Sequence, residues 1–192
     1  MDGVFTGVLD VYYAEMTTAE TASTAPAYGT PAILGKAIQV TVTPTTNEGQ
    51  LSASNKRVKW TKKITGYEIS MNTDNVDPAV LAKVLGRTST TKKVQYVNSA
   101  QVIPYIALGF CATYDDGTKE LWWVYKCQCA EITRDMRTEK GDNVEYNTPT
   151  LEAVAMPLLN NGNLAAVCDT NVVTDTSIAS GWFSDVFLAD PA

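Results

Sequence analysis

Four cysteines, 21 carboxylates and no histidine set the limits of the chemistry open to this 192-residue chain. Without imidazole there is no Ser–His or Cys–His nucleophile, and both the commonest general base and the commonest metal ligand are missing. Cys127 and Cys129 lie two apart, so on a strand they share a face. A zinc site would need Cys111 and Cys168 as well, and the paired knuckle spacing of such sites is absent. The four read as buried, reduced thiols. The stretch "YDDGTKE", residues 114–120, lacks the alternating carboxylates and closing Glu of a calcium loop and reads as a hairpin turn. Glu139 and Asp142 form a carboxylate pair, but their flanks, "RTEKGDNVEYNTP", read as an exposed loop. Neither G-x-G-x-x-G nor a Walker-type loop occurs. The expectation is no catalytic residue, no cofactor, no metal and no enzymatic activity.

Surfaces are the alternative to sites. A net charge of −6 and a pI near 4.6 argue against binding nucleic acid through a generally basic surface. No apolar run approaches the roughly 18 residues of a membrane span, and the opening "MDGVFTGVLDVYYAE" has no basic n-region. The charge is unevenly placed. Residues 51–100 carry nine basic side chains against three acidic, whereas 1–50 carry one basic against five acidic and 151–192 carry none against five. A basic middle between acidic ends suits head-to-tail contact between copies.

The elements that must present these surfaces are mostly strands. "AIQVTVTP" puts Ile38, Val40 and Val42 on one face, and "ITGYEISMN" does the same with Tyr67, Ile69 and Met71. Two longer strands flank "DDGT", 115–118, and a last pair is expected where "TPTLEAVAMPLL" and "LAAVCDTN" meet at "NNGN", 160–163. One helix is predicted over about 77–86, with Asp77 as cap, Pro78 in the first turn, Gly86 at the end and an apolar stripe of Val80, Leu81, Val84 and Leu85. The polar stretch 43–58 is long for a loop in a compact domain. The fold class expected is mainly β with minor α: an antiparallel β-sandwich or partly closed barrel of two packed sheets, one flanking helix and a long extended loop. Residues 1–192 are read as a single domain, with 43–60 and 169–192 as candidate assembly arms.

One sequence feature poses a physical problem. In "ELWWVYKCQC", Trp122 and Trp123 are adjacent, and on a strand they point to opposite faces. Something must cover each. The expectation is that one packs in the core while the other meets the helix or a second subunit.

The succession "GVLDVYYAEM", "YGTPAILGKAIQVTVTP", a long polar loop, "ITGYEISMN" and "DPAVLAKVLG" resembles the major tail (tail tube) proteins of long, noncontractile-tailed bacteriophages. So does the hairpin "IPYIALGFCATYDDGTKELWWVYKCQCAE" running into "GDNVEYNTPTLEAVAMPL". The resemblance spans roughly 3–168 and rests on order and spacing, not on one diagnostic motif. It implies a virion protein made in the bacterial host cytoplasm, with copies of itself in hexameric rings stacked into a tube. Tape measure, tail tip and terminator proteins are its implied partners, and double-stranded DNA passes the lumen without specific binding. The loop at 43–60 would reach a neighbouring ring. Lys56, Arg57, Lys59, Trp122 and Trp123 are the candidate inter-subunit residues. Two other functions compete: a tail terminator or connector that forms one ring, and a carbohydrate- or receptor-binding sandwich using Tyr12, Tyr13, Tyr28, Tyr105 and Tyr125.

Overall fold

The computed structural model describes residues 3–53, 56–90, 94–133 and 148–188. The Glu139–Asp142 pair lies outside them. Among the described residues, eleven strands and two short helices follow in chain order. The strands are β1 (Phe5–Val8), β2 (Asp10–Thr18), β3 (Ala27–Tyr28), β4 (Ala32–Ala53), β5 (Lys56–Thr73), β6 (Thr88–Ser89), β7 (Gln95–Tyr96), β8 (Ile106–Tyr114), β9 (Lys119–Cys129), β10 (Thr150–Ala155) and β11 (Ala165–Asp169). The helices are α1 (Pro78–Val84), between β5 and β6, and α2 (Thr176–Gly181), after β11.

The protein is mainly β and its strands pair antiparallel. β8, β2, β4, β5, β10 and β9 hydrogen-bond in that order, and β8 also pairs β9, which closes a ring of six strands. Its interior is one apolar core of Val11, Leu34, Ile69, Met71, Ile106, Leu108, Val124 and Leu151. The alternation in "ITGYEISMN" is met: Ile69 and Met71 are buried and Tyr67 packs beside them, while Glu68 faces out. Helix α1 caps this core with Leu81 and Val84, joined by Leu85 just beyond. Its signals act as the sequence suggests. Asp77 Oδ1 accepts from the Ala79 N–H at 2.7 Å, and Gly86 has φ +64°. A Cβ there would stand 2.2 Å from the Val102 carbonyl oxygen, so close approach and backbone sign both require glycine.

The "DDGT" turn forms as expected: Gly117 has φ +83° and Asp116 Oδ1 accepts from both the N–H and the hydroxyl of Thr118. The expected β10–β11 hairpin does not form. The "NNGN" turn is present, with Gly162 at φ +74°, but both flanking strands pair with the same edge of β9. β10 takes Cys127–Cys129 and β11 takes Glu120–Val124, so the two are one line of strand interrupted by a loop.

The interruption sits opposite a bulge. Lys126 has φ +46°, and one extra residue of β9 is accommodated between the pairs Leu108↔Val124 and Ile106↔Cys127. Val124 and Cys127 consequently face the same core although they are three apart. The Lys126 ammonium is held in a nearly buried ion pair with Glu20, whose other carboxylate oxygen accepts from the Leu159 N–H at 2.6 Å. Removing either partner of such a pair leaves an uncompensated charge.

β9 is covered on both sides. Trp122 and Val124 point into the barrel, and Trp122 stacks on Phe110 with ring centroids 5.6 Å apart. Leu121, Trp123 and Tyr125 point the other way, into a second core with Ala107, Cys111, Leu158, Cys168 and Trp182. The cover is the chain's own C-terminal segment, not α1 and not another copy. Trp123 is 0% exposed; its Nε1–H donates to the Trp182 carbonyl at 2.8 Å and Phe183 meets its ring edge-on. Gly109, paired with Trp123 across β8–β9, makes room for the indole: a Cβ would lie 2.8 Å from its ring. Gly109→Ala is therefore expected to lower the unfolding free energy by about 1–3 kcal/mol through overpacking. Urea denaturation measures it, and unaltered stability would contradict the indole's placement.

Candidate assembly surface

The sequence's long polar loop is paired strand. β4 and β5 stay paired from Ala37↔Thr73 to Ala53↔Lys56, with the register shifting at Ala37/Gln39, Thr45/Thr46 and Leu51/Ser52. Near the barrel they are flanked by β2 and β10; beyond Pro44↔Tyr67 no other strand lies alongside among the described residues. From Thr45 to Ala53 the ribbon extends about 27 Å at ~3.4 Å per residue. Residues 47–52 and 56–65 are all exposed. The strand signal was masked by charge, since "KRVKWTKKI" alternates Val58, Trp60 and Ile64 against lysines.

The register assigns the ribbon's two faces. Trp60 opposes Gln50, Lys62 opposes Glu48 and Ile64 opposes Thr46, so these share one face; Lys59, Thr61 and Lys63 share the other with Leu51, Gly49 and Asn47. Lys56 and Arg57 sit at the tip, opposite Ala53 and Ser52. The structure thus brings Lys56, Arg57 and Lys59 together at the far end. Leu51, Val58, Trp60 and Ile64 are each more than half exposed there. A lone two-stranded ribbon is marginal in water, and its Lys62–Glu48 ion pair at 3.0 Å is half exposed and contributes little. Sequence reasoning missed Trp60.

Trp122 and Trp123 lie in β9, away from that tip. Trp123 offers no surface. Trp122 keeps part of its indole in an apolar cleft of about 510 Å³ at the barrel mouth, beside Phe5, Ile38, Val42 and Phe110. The tyrosines considered for sugar stacking are engaged within the chain. Tyr13 and Tyr125 are buried, Tyr12 stacks on Phe183 at 4.3 Å, the Tyr28 hydroxyl accepts from the Lys126 N–H, and Lys126 Nζ stands 5.6 Å over the Tyr105 ring.

Two further surfaces stand apart from the ribbon. The outer face of β4, β5 and β10 is polar and carries Glu68 and Glu152 among Thr41, Thr43 and Ser70. β11 ends the sheet. Tyr125 N–H donates to the Leu164 carbonyl and Thr170 N–H to that of Lys119, which fixes the phase: 164, 166, 168 and 170 bond to β9. The backbone groups of Ala165 and Val167 therefore point to the open edge, where no strand pairs with them among the described residues.

The cysteines are divided between the cores. Cys127 and Cys129 face the barrel interior, whereas Cys111 and Cys168 belong to the outer core. Among the described residues no cluster of three His, Cys, Asp or Glu side chains could hold a metal, and no helix is long and apolar enough to cross a membrane. Burial pushes the Cys127 thiol well above its ordinary range and Cys129 up to about 12. Burial also raises Tyr125 to about 12.

No protein-family model matches the chain, and no curated protein does. Among solved structures it is similar to one described as the crystal structure of Hcp protein, at 12% identity, covering 83% of this chain and 99% of that one with a TM-score of 0.35. So loose a superposition bears on neither assembly nor function.

The raised acids imply a pH dependence. A group whose pKa is higher folded than unfolded stabilises the fold below its unfolded value and loses that contribution as pH rises through the folded one. Stability is expected to fall between pH 9 and about 12, with Cys129 contributing up to ~1.4 kcal/mol per pH unit. Thermal unfolding across that range should show a shallower fall for Cys129→Ala; parallel curves would place the thiolate in water.

Proposed function

We propose that this chain is a structural subunit that polymerises with itself, and specifically that it is a tail tube protein of a long-tailed bacteriophage, forming stacked hexameric rings for DNA passage. The observation that carries the reading is the ribbon: about 27 Å of paired strand exposing Trp60, Val58, Leu51 and Ile64 beside five cations, with nothing of the chain's own to cover them among the described residues. Exposed apolar surface on a projecting element marks an interaction site. The order of sequence elements supports the finer identity.

In this reading the subunit joins its neighbours heterologously, the geometry that closes rings and extends filaments. The basic ribbon meets an acidic surface of another copy. A wall such as the face bearing Glu68 and Glu152 repels phosphates, so duplex slides without adhering. The virion is the place of action and the host cytoplasm the place of synthesis; tape measure, tail tip and terminator proteins are the other partners.

Purified protein concentrated near physiological salt is expected to form hollow filaments of constant width in negative-stain images. Reversing Lys56 and Arg57 to glutamate should reduce them at least tenfold while leaving thermal unfolding unchanged. Particles that stay single at every concentration would sink the proposal, and closed single rings would favour a terminator or connector.

A further inference from the structure

If copies of this chain bind one another through the ribbon, some surface must receive it. The most suitable one lies beside the open edge of β11. There a groove of about 530 Å³ runs between the strand and the C-terminal segment, lined by Val167, Asp169, Val172, Ile178, Trp182 and Phe187. Val172 is 69% exposed and Val167 49%, so the groove is apolar and open.

Two buried polar atoms in the lining have no partner among the described residues. Trp182 Nε1, a donor, and Asp169 Oδ2, an acceptor, are both shielded from water and unsatisfied, in a residue pair that is otherwise well held. The Trp182 carbonyl accepts from Trp123, and Asp169 Oδ1 accepts from the Asn171 N–H at 2.8 Å. Buried groups of this kind normally find a partner, so the groove is short of one acceptor and one cationic or polar donor. The adjacent edge offers the Ala165 and Val167 backbone groups for strand addition.

The ribbon has each complement. Its outer edges beyond Pro44↔Tyr67 are unpaired among the described residues, its Trp60 and Ile64 share one face with the Lys62–Glu48 pair between them, and its carbonyls are acceptors. Charge matches as well. Residues 45–65 carry Lys56, Arg57, Lys59, Lys62 and Lys63 against Glu48 alone, while 165–188 carry Asp169, Asp175 and Asp185 and no basic residue.

We propose that the groove beside β11 is the receptor for the β4–β5 ribbon of a second copy, which adds to the open edge, seats Trp60 on Val167 and Val172, and sets a cation on Asp169. This rests on the self-assembly reading and names the surface it uses. The C-terminal wall of the groove, Val172 to Phe187, lies beyond the stretch that carries the family resemblance, whereas β11 and the ribbon fall within it.

The test uses the full chain with a benzophenone amino acid in place of Trp60, mixed as isotopically light and heavy protein, irradiated after concentration and mapped by mass spectrometry. The expected products join position 60 of one isotopic form to residues 165–187 of the other. Assembly with cross-links elsewhere, for example on β1 or the Glu68–Glu152 face, overturns this receptor and leaves self-assembly standing. Absence of any assembly in the unsubstituted chain overturns both. Separately, Trp60→Ala is expected to weaken association at least tenfold by sedimentation. Asp169→Asn, which keeps an oxygen for the Asn171 N–H, should weaken it severalfold and flatten its salt dependence, while Asp115→Asn in the β8–β9 turn should not. Equal effects of the two aspartate changes would reduce the contact to general charge and overturn the assignment.

Discussion

Covering both faces of β9 is the constraint on which the rest of this structure depends. A strand with adjacent tryptophans cannot be buried by one layer, and here each indole has its own core. Trp122 closes the barrel side against Phe110, while Trp123 is sealed by Trp182 and Phe183 from the end of the chain. The strands around β9 follow from that. β8 is buried along Ile106–Cys111 on both faces, Gly109 gives up its side chain to the indole, and β11 is bound to the outer half of β9. Both faces of β9 are thus covered without a partner. The body supplies a rigid base that keeps an open β11 edge, and the ribbon supplies the apolar side chains that project away from it.

The ribbon's geometry is inherited from this base. β4 and β5 are ordinary barrel strands where β2 and β10 flank them, and their register carries on outward without interruption except for small bulges. A marginal two-stranded element is thereby anchored by strands that are fixed at the barrel. Its apolar side chains are exposed in the single chain, and the chain's charge asymmetry resolves into a basic arm and an acidic C-terminal surface. In the proposed assembly, opposed surfaces on one subunit would give an open-ended series of contacts, where a self-complementary patch would stop at a dimer.

Much of the fold was legible from local chemistry. Asp77, Pro78 and Gly86 marked α1, Asp-Gly marked the β8–β9 turn, and period-two alternation marked β4 and β5 near the barrel. What escaped depended on non-local partners. Nothing at Lys126 signals a positive φ, since the bulge is imposed by β8 on one side and the Leu164–Ala165 line on the other; the apparent β10–β11 hairpin failed for the same reason. The C-terminal cover has no periodicity, and only the adjacent Trp182 and Phe183 hinted at burial. The cationic cluster Lys56, Arg57 and Lys59 was legible as charge, but Trp60 was hidden among lysines, and the groove beside β11 needed the phase of β11's hydrogen bonds to become visible.

Hydrogen exchange followed by mass spectrometry, on dilute and on concentrated protein, tests the division between a self-covered β9 and an uncovered ribbon most directly. The account predicts that β8 and β9 amides are equally slow in both samples, whereas residues 46–64 exchange fast when dilute and become protected on concentration. A ribbon equally protected in both, or β9 amides that slow only on concentration, would contradict it.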